Sequence, residues 1–153
     1  MDPQAVIDVF RRTVTEHYFD FNGRTGRREF WYYVIAVVVI MVVVGIVSRI
    51  LGTRLLSELA SLALFLPNLG MGARRLHDTN RTAMFLLLPI VPTVLATVFL
   101  FIFLWPLAMI CWLATVAAAI LLIYFYAQPG TTGPNQYGTE PANGPPAAPA
   151  AAA

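Results

Sequence analysis

The sequence predicts an all-α membrane protein, and two observations point to that fold class. Hydrophobic residues make up 58% of the 153 residues and charged residues only 12%, about half the charged share of a typical soluble protein. The few charges are also grouped, so that long stretches of the chain carry none. A surface that faces water cannot be built from so few charges, and we expect lipid to cover much of it.

Four segments are long and apolar enough to cross a bilayer, which takes about 20 residues in a helix. The first has 19 uncharged residues and begins with an aromatic run at 30–33, as is typical of the headgroup region. The 46 residues after Arg81 carry no ionised side chain, which suits two crossings with a turn at Trp105-Pro106. The predicted spans are 30–48, 55–73, 83–104 and 107–127.

The second span is the least regular, because it contains Glu58 and Pro67. Glu58 lies in its first turn, where a charge costs far less than at mid-membrane, and Pro67 predicts a kink. The arginines favour a full crossing: with four spans, eight arginines fall on one side and Arg49 and Arg54 on the other. The positive-inside tendency then places the eight-arginine side, with both termini, in the cytoplasm.

The two ends of the chain differ from the membrane domain, which we place at 19–141. Residues 1–18 begin with Asp2-Pro3 as a helix start and carry apolar side chains at 3–4 spacing, which predicts an amphipathic helix on the membrane surface. Packing of this helix on the protein's own polar loops fits the pattern nearly as well. Residues 142–153 are almost all proline, alanine and glycine, which predicts a disordered tail.

Three polar motifs flank the apolar segments: FDFNGRTGRREFW at 19–31, RRLHDTNR at 74–81 and GPNQYG at 133–138. In this order they resemble a family of small bacterial inner-membrane proteins, domain of unknown function 805, over about residues 18–141. That family has a G-R-x-x-R-x-E-F-W entry to its first span, an R-R-L-H-D loop and a terminal G-x-N-x-Y-G. The resemblance implies a multi-pass inner-membrane protein, and it brings no reaction or ligand with it.

Capping and ion pairing can explain the first two motifs in purely structural terms. Glu29 stands three residues after Gly26, as the carboxylate of a capping box does. Asp78 follows two arginines by three and four residues, so one helical turn would pair them. Asn80 suits a left-handed turn, and Thr82 can cap the third span. On this interpretation the charges close a helix hairpin and fix its depth.

The same arginines also predict a binding role. Guanidinium groups form forked hydrogen bonds with phosphate and carboxylate oxygens, and each contributes roughly 1 kcal/mol near an anionic membrane surface. We therefore expect contact with membrane lipids, especially anionic headgroups, or with an acidic protein partner, and the pattern leaves a homo-oligomer open. The candidate binding residues are Arg24, Arg27, Arg28, Arg74, Arg75, His77 and Arg81.

Other classes of function have weaker support. A membrane-embedded enzyme would need His77, Asp78 and Glu29 to converge, but neighbouring side chains diverge on a helix. The chain has no metal-ligand spacing, nucleophile elbow or phosphate loop, so we expect no catalytic residue, metal or cofactor. A subunit of a transporter or pore would need polar groups at mid-membrane, where Asn68 is the main candidate. The net charge of only +2 argues against nucleic acid.

Overall fold

The computed structural model describes residues 3–141, and the regular elements in this range are helical. The predicted cap at Asp2 and the predicted disordered tail at 142–153 lie outside the described residues. The helices are α1 (Pro3–Thr15), α2 (Arg27–Ile50), α3 (Leu55–Asp78), α4 (Leu87–Phe101) and α5 (Trp105–Ala127), and a 3₁₀ turn at Ala83–Leu86 leads into α4. Four helices, α2, α3, α4 with its 3₁₀ turn, and α5, are long and apolar enough to cross a membrane.

The four long helices form two hairpins. In the first, α2 packs against α3, and the chain between them turns at Gly52, whose φ of +66° suits glycine. Ser57 donates a hydrogen bond of 2.7 Å to Ser48 across this hairpin. In the second, α4 packs along α5, and the hydroxyl oxygens of Thr93 and Thr115 lie 3.2 Å apart between them.

The turn between α4 and α5 lies earlier than the sequence predicts. The chain turns at 102–104, where Phe103 has a left-handed φ of +59°, and α5 already begins at Trp105. Pro106 therefore lies in the first turn of α5, where its missing N–H leaves no hydrogen bond unmade. The prediction of a turn at Trp105-Pro106 is wrong because proline starts a helix as readily as it ends one.

Helix α3 is longer than the predicted second span, since it continues through Pro67 to Asp78. The residues RRLHD are thus its last turns and not part of a loop. The chain then turns at Asn80, whose φ is +57° as its left-handed preference predicts. Thr82 also has its predicted role, because its side chain caps the 3₁₀ turn by accepting a hydrogen bond of 3.3 Å from the N–H of Met84.

Helix α1 runs antiparallel to the first half of α2. Arg12 pairs with Glu29, and the rings of Phe10 and Tyr33 stack with their centroids 6.1 Å apart. Closer to the N-terminus, an apolar groove of about 480 Å³ lies between α1 and the middle of α2. A helix thus stands where the sequence predicts one, packed on α2, and its position at a membrane surface stays a prediction.

The buried interior of the bundle is small. Phe30, Tyr33 and Met71 form its centre, and the Tyr33 hydroxyl donates a hydrogen bond of 2.7 Å to the side-chain oxygen of Asn68. Elsewhere most large apolar side chains of α2, α4 and α5 are exposed, which suits a surface covered by lipid. The charged end of the bundle, as we use the term below, comprises residues 24–28, 74–82 and 126–138.

Candidate functional site

The centre of the charged end is the carboxylate of Asp78, whose side chain is 4% exposed. Arg24 binds one of its oxygens through Nε at 3.1 Å and Nη2 at 2.9 Å. Arg75, one helical turn earlier, donates to the other oxygen. Both guanidinium groups are also buried, with side-chain exposures of 1% and 0%. We call these three residues the Asp78 cluster; its two cations exceed its one anion, so neutral acceptors must satisfy the remaining donors.

The remaining donors of Arg24 bind the chain that follows α5. They donate to the backbone oxygens of Thr131 at 2.5 Å, Gly133 at 2.6 Å and Gly138 at 3.4 Å. Together with the two bonds to Asp78 these make five, which equals the number of N–H groups on an arginine. Arg24 therefore holds the tail against the helix ends and uses all its donors within the protein.

The remaining donors of Arg75 join α3 to the end of α5. Its Nε donates to the backbone oxygen of Tyr126 at 3.0 Å, and its Nη2 donates to that of Gln128. Carbonyls at the end of a helix lack helical partners and carry its negative dipole, so a cation stabilises them. Beyond them the chain passes Asp78 at Gly130, where a Cβ atom would lie 2.7 Å from the carboxylate carbon. Only glycine allows this approach.

His77 is held by the terminal motif GPNQYG. Its ring stacks flat on that of Tyr137, with centroids 3.9 Å apart and planes inclined by 5°. Its Nδ1 lies 3.2 Å from the backbone oxygen of Gly23. Because a carbonyl oxygen can only accept a hydrogen bond, we assign the proton to Nδ1. Asn135 donates from its side-chain amide to the backbone oxygen of His77 at 2.9 Å and to the Thr131 hydroxyl at 2.9 Å. These contacts give His77 a structural role in fixing the tail.

Arg74 differs from Arg75 because it has no strong hydrogen bond. Its side chain is 7% exposed, and its nearest carboxylate oxygen, on Asp20, lies 3.6 Å from Nη1. Nη2 reaches the sulfur of Met71 at 4.0 Å, and Nε has no hydrogen-bond partner among the described residues. The cation is therefore buried and its donors are largely unused.

Asp20, the nearest anion to Arg74, has other partners. It accepts a hydrogen bond of 3.0 Å from the N–H of Asn22, and its second oxygen lies 3.0 Å from Nδ1 of His17. Burial raises the pKa of Asp20, but these two hydrogen bonds and the nearby Arg74 outweigh it, so that the pKa lies below its usual value. Asp20 is thus charged at neutral pH and shared between several donors.

Three further arginines lie at the surface of the charged end. Arg27 and Arg28 are exposed and Arg81 is half-buried. Arg28 donates to the Tyr32 hydroxyl at 2.9 Å, and the Arg81 guanidinium lies 4.2 Å from the centroid of the Phe125 ring. Arg27 reaches a backbone oxygen at the end of α5, at 3.4 Å. Within the part of the chain that the structure describes, none of the three has a carboxylate partner.

The ion pairs that the spacing of the second motif predicts form only in part. Asp78 pairs with Arg75 one turn away, as predicted. Arg74 instead approaches Asp20, and Asp78 takes Arg24 of the first motif as its other partner. Spacing identifies pairs within one helix, whereas Asp20 and Arg24 come from the loop before α2. Sequence reasoning misses both as ion-pair partners.

The predicted capping box and the enzymatic alternative also differ from the structure. The Glu29 carboxylate pairs with Arg12 of α1 and not with the start of its own helix, because α1 places a cation beside it. His77 and Glu29 therefore have separate partners. Across residues 3–141, no three His, Cys, Asp or Glu side chains lie together as metal ligands would.

The sequence analysis assigns no role to the GPNQYG motif. The position of this motif directly after the last span is the one signal that it could fold back onto the helix ends.

Four membrane-length helices, with a buried ion-pair cluster at one end of the bundle, define a multi-pass helical membrane protein. The family described as Protein of unknown function (DUF805) matches residues 18–139, and the chain belongs to this family. It is 34% identical over 131 residues to Inner membrane protein YhaI of Escherichia coli (strain K12), which covers 84% of the chain and 92% of the relative. It is 29% identical over 134 residues to Inner membrane protein YhaH of the same strain, with the same coverage. No solved structure matches the chain.

Proposed function

We propose that this chain is a non-enzymatic protein of the bacterial inner membrane that binds anionic lipid headgroups through the surface arginines of its charged end. One observation carries the proposal: Arg27 and Arg28 are exposed where α2 begins, and the described residues offer them no carboxylate. Trp31 and Tyr32 follow directly and are half-buried, as expected for aromatic side chains at headgroup depth. Each arginine at such a surface contributes roughly 1 kcal/mol to lipid binding.

Five of the seven candidate residues, all but Arg74 and His77, divide into two groups with different roles. Arg24 and Arg75 have partners for their donors inside the protein, and they hold the helix ends and the tail together. Arg27, Arg28 and Arg81 keep open donors at the surface. The proposal therefore assigns anchoring of the fold to the buried group and lipid contact to the surface group.

The contacts of the ionisable residues support a non-enzymatic role. A general acid or base needs a free site within hydrogen-bond reach of a substrate. The carboxylate of Asp78 is enclosed by two arginines, and that of Glu29 is taken by Arg12. The ring of His77 is covered by Tyr137. This arrangement favours structure over proton transfer.

We place the charged end, with both chain termini, in the cytoplasm. Eight of the ten arginines lie at this end or on the segments attached to it, and two lie at the other end, which is the asymmetry that the positive-inside tendency produces. Helix α1 would then have its exposed Arg11 and Arg12 near the headgroups of the inner leaflet, while its apolar N-terminal half follows α2 toward the middle of the span.

Native mass spectrometry of the protein extracted with its lipids tests the binding proposal. The double variant Arg27→Gln/Arg28→Gln is expected to retain anionic phospholipid about thirtyfold less well than the wild type, because it loses two contacts of roughly 1 kcal/mol each. The variant Arg49→Gln/Arg54→Gln removes the same charge at the opposite end and serves as the control. Equal retention by the wild type and Arg27→Gln/Arg28→Gln would rule out lipid binding by these arginines. If a partner protein remained cross-linked to the charged end in both double variants, that partner would bind to residues other than Arg27 and Arg28.

A further inference from the structure

A small polar cavity of about 200 Å³ lies at the charged end, between the end of α1, the loop before α2, and α3. It is separate from the outward surface of Arg27 and Arg28, neither of which lines it. Charged and polar side chains from these segments and from the first turn of α2 form its walls. They include Arg12, His17, Asp20, Asn22, Glu29 and Arg74.

Most of the charges around this cavity are already paired with each other. Arg12 pairs with Glu29, and Nδ1 of His17 lies 3.0 Å from Asp20. Arg24 also lines the cavity, but its donors bind the Asp78 cluster and the tail. Arg12 and Glu29 therefore balance each other in charge without a ligand, and Asp20 has two hydrogen-bond partners.

Arg74 is the exception. The residue is 6% exposed, its Nε has no hydrogen-bond partner among the described residues, and Asp20 at 3.6 Å is too far for a hydrogen bond. A buried polar group without a partner is rare in native proteins and costs free energy. The neighbouring Arg75 differs in this respect, because its guanidinium donates hydrogen bonds to a carboxylate and two backbone carbonyls. The donors of Arg74 are thus largely unused, and the residue lines the cavity with Asp20 as its nearest anion.

We propose that this cavity binds a small oxyanion of the phosphate type, with Arg74 as its principal donor. The guanidinium presents parallel N–H groups that match two oxygens of a phosphate, and the Asn22 amide can supply a further donor. The cavity holds a single phosphate group but not a whole lipid. Its ligand is therefore free phosphate or the phosphate monoester of a lipid whose chains lie outside. The site is independent of lipid binding at Arg27 and Arg28, so either proposal can fail without the other.

Binding of inorganic phosphate to the full chain in dodecyl maltoside, a detergent without phosphate, tests the proposal. Equilibrium dialysis with labelled phosphate is expected to show one saturable site per chain. In a ¹H–¹⁵N spectrum, the Nε–Hε signal of Arg74 is expected to shift on titration, since phosphate binds beside its guanidinium group. Absence of saturation up to about 10 mM phosphate would overturn the proposal.

Two substitutions with opposite expected effects separate a ligand site from a structural role. Arg74→Gln is expected to weaken phosphate binding by about tenfold, because it removes the charged donor. Asp20→Asn is expected to strengthen it by about threefold, because a competing negative charge disappears while the shape is kept. Arg54→Gln, at the opposite end, is the control and should bind as the wild type does. Unchanged or weaker binding in Asp20→Asn would contradict an anion beside Arg74, even if Arg74→Gln fails to fold.

Competition identifies the source of the oxyanion. Phosphatidic acid, a lipid with a phosphate monoester, is added to the micelles during the phosphate titration, and phosphatidylglycerol, a diester, is added in a parallel sample. Displacement by phosphatidic acid alone indicates a site that a lipid monoester reaches from the membrane. Retention of phosphate in both samples indicates a site that is filled from water.

Discussion

Arg24 and Asp78 lie 54 residues apart in the sequence, yet two N–H groups of the arginine bind one carboxylate oxygen at 3.1 and 2.9 Å. This pair joins the first polar motif to the second. The N–H of Thr131 donates to the backbone oxygen of Asp78 at 2.8 Å and brings in the segment after α5. Three motifs that are distant in the chain thus meet around one buried anion, which makes the charged end a single structural unit.

Asp78→Asn is expected to destabilise the protein strongly. The substitution keeps the shape of the side chain but leaves two buried guanidinium groups without their counter-charge, and breaking such a buried pair costs about 3–5 kcal/mol. Thermal unfolding of the purified protein in maltoside micelles would show the loss as a lower Tm. Because the cluster acts as a unit, the double variant Arg24→Gln/Asp78→Asn should lose less stability than the sum of the two single variants.

Glu58→Gln is the matched control for this experiment. It removes an exposed carboxylate at the opposite end of the bundle, and a surface substitution of this kind changes stability by about 0.5 kcal/mol or less. A similar fall in Tm for Glu58→Gln and Asp78→Asn would show that the Asp78 cluster has no special role in stability.

The helices of this protein could be predicted from its sequence because lipid imposes a simple rule. A segment in a bilayer must satisfy its backbone internally, so apolar runs of sufficient length become helices. The four long apolar helices, Asn80 and Thr82 follow from local spacing and agree with the structure. Local spacing offers Thr25 or Gly26 as the cap of α2, and the structure has Gly26. The predicted turn at Trp105-Pro106 is wrong, because Pro106 can stand in a turn or in the first turn of a helix. Packing selects the second, and the chain turns at 102–104 instead.

The partners of the charged residues could not be predicted in the same way. Spacing finds the pair of Arg75 and Asp78, because both lie on one helix. It cannot find Arg24 for Asp78 or Asp20 for Arg74, because those contacts depend on how the loop before α2 folds over the end of α3. The extension of α3 beyond the apolar run has the same cause, since the buried Arg75 and Asp78 find partners there in other segments of the chain.

Tyr137→Ala is expected to loosen the tail from the helix ends. The flat stack of Tyr137 on His77 is lost, and such aromatic pairs contribute about 0.5–1.5 kcal/mol beyond the area they bury. Hydrogen exchange of residues 131–138 should become faster, while exchange in the middle of α2 should not change. Tyr137→Phe keeps the ring and is the control; equal acceleration in both variants would mean that the stack does not hold the tail.

Gly70→Ala is expected to destabilise the contact between α3 and the loop before α2. A Cβ at this position would lie 2.9 Å from the backbone oxygen of Asp20, and backbone atoms cannot move away cheaply. We expect a loss of about 1–3 kcal/mol, as for other overpacked sites, measured as a lower Tm. The loop should also exchange its amide hydrogens faster.

Gly45→Ala provides the comparison for that substitution. Gly45 lies within α2, and a Cβ there would meet nothing within 4 Å. Alanine is the better helix former by roughly 0.5–1 kcal/mol, so this variant should be as stable as the wild type or slightly more so. If both variants lost the same stability, helix geometry and not the contact with Asp20 would be the cause.

Cysteine labelling in intact spheroplasts is expected to show that the charged end faces the cytoplasm. The native Cys111 is first replaced by serine, since it is the free cysteine of the described chain. Thr53→Cys then marks the loop between α2 and α3, and Gln136→Cys marks the GPNQYG motif; both positions are exposed. A membrane-impermeant maleimide added outside should label Thr53→Cys at once and Gln136→Cys only after lysis. Labelling of Gln136→Cys in unbroken spheroplasts would reverse the orientation that the eight arginines predict, and the lipids near Arg27 and Arg28 would then be those of the outer leaflet.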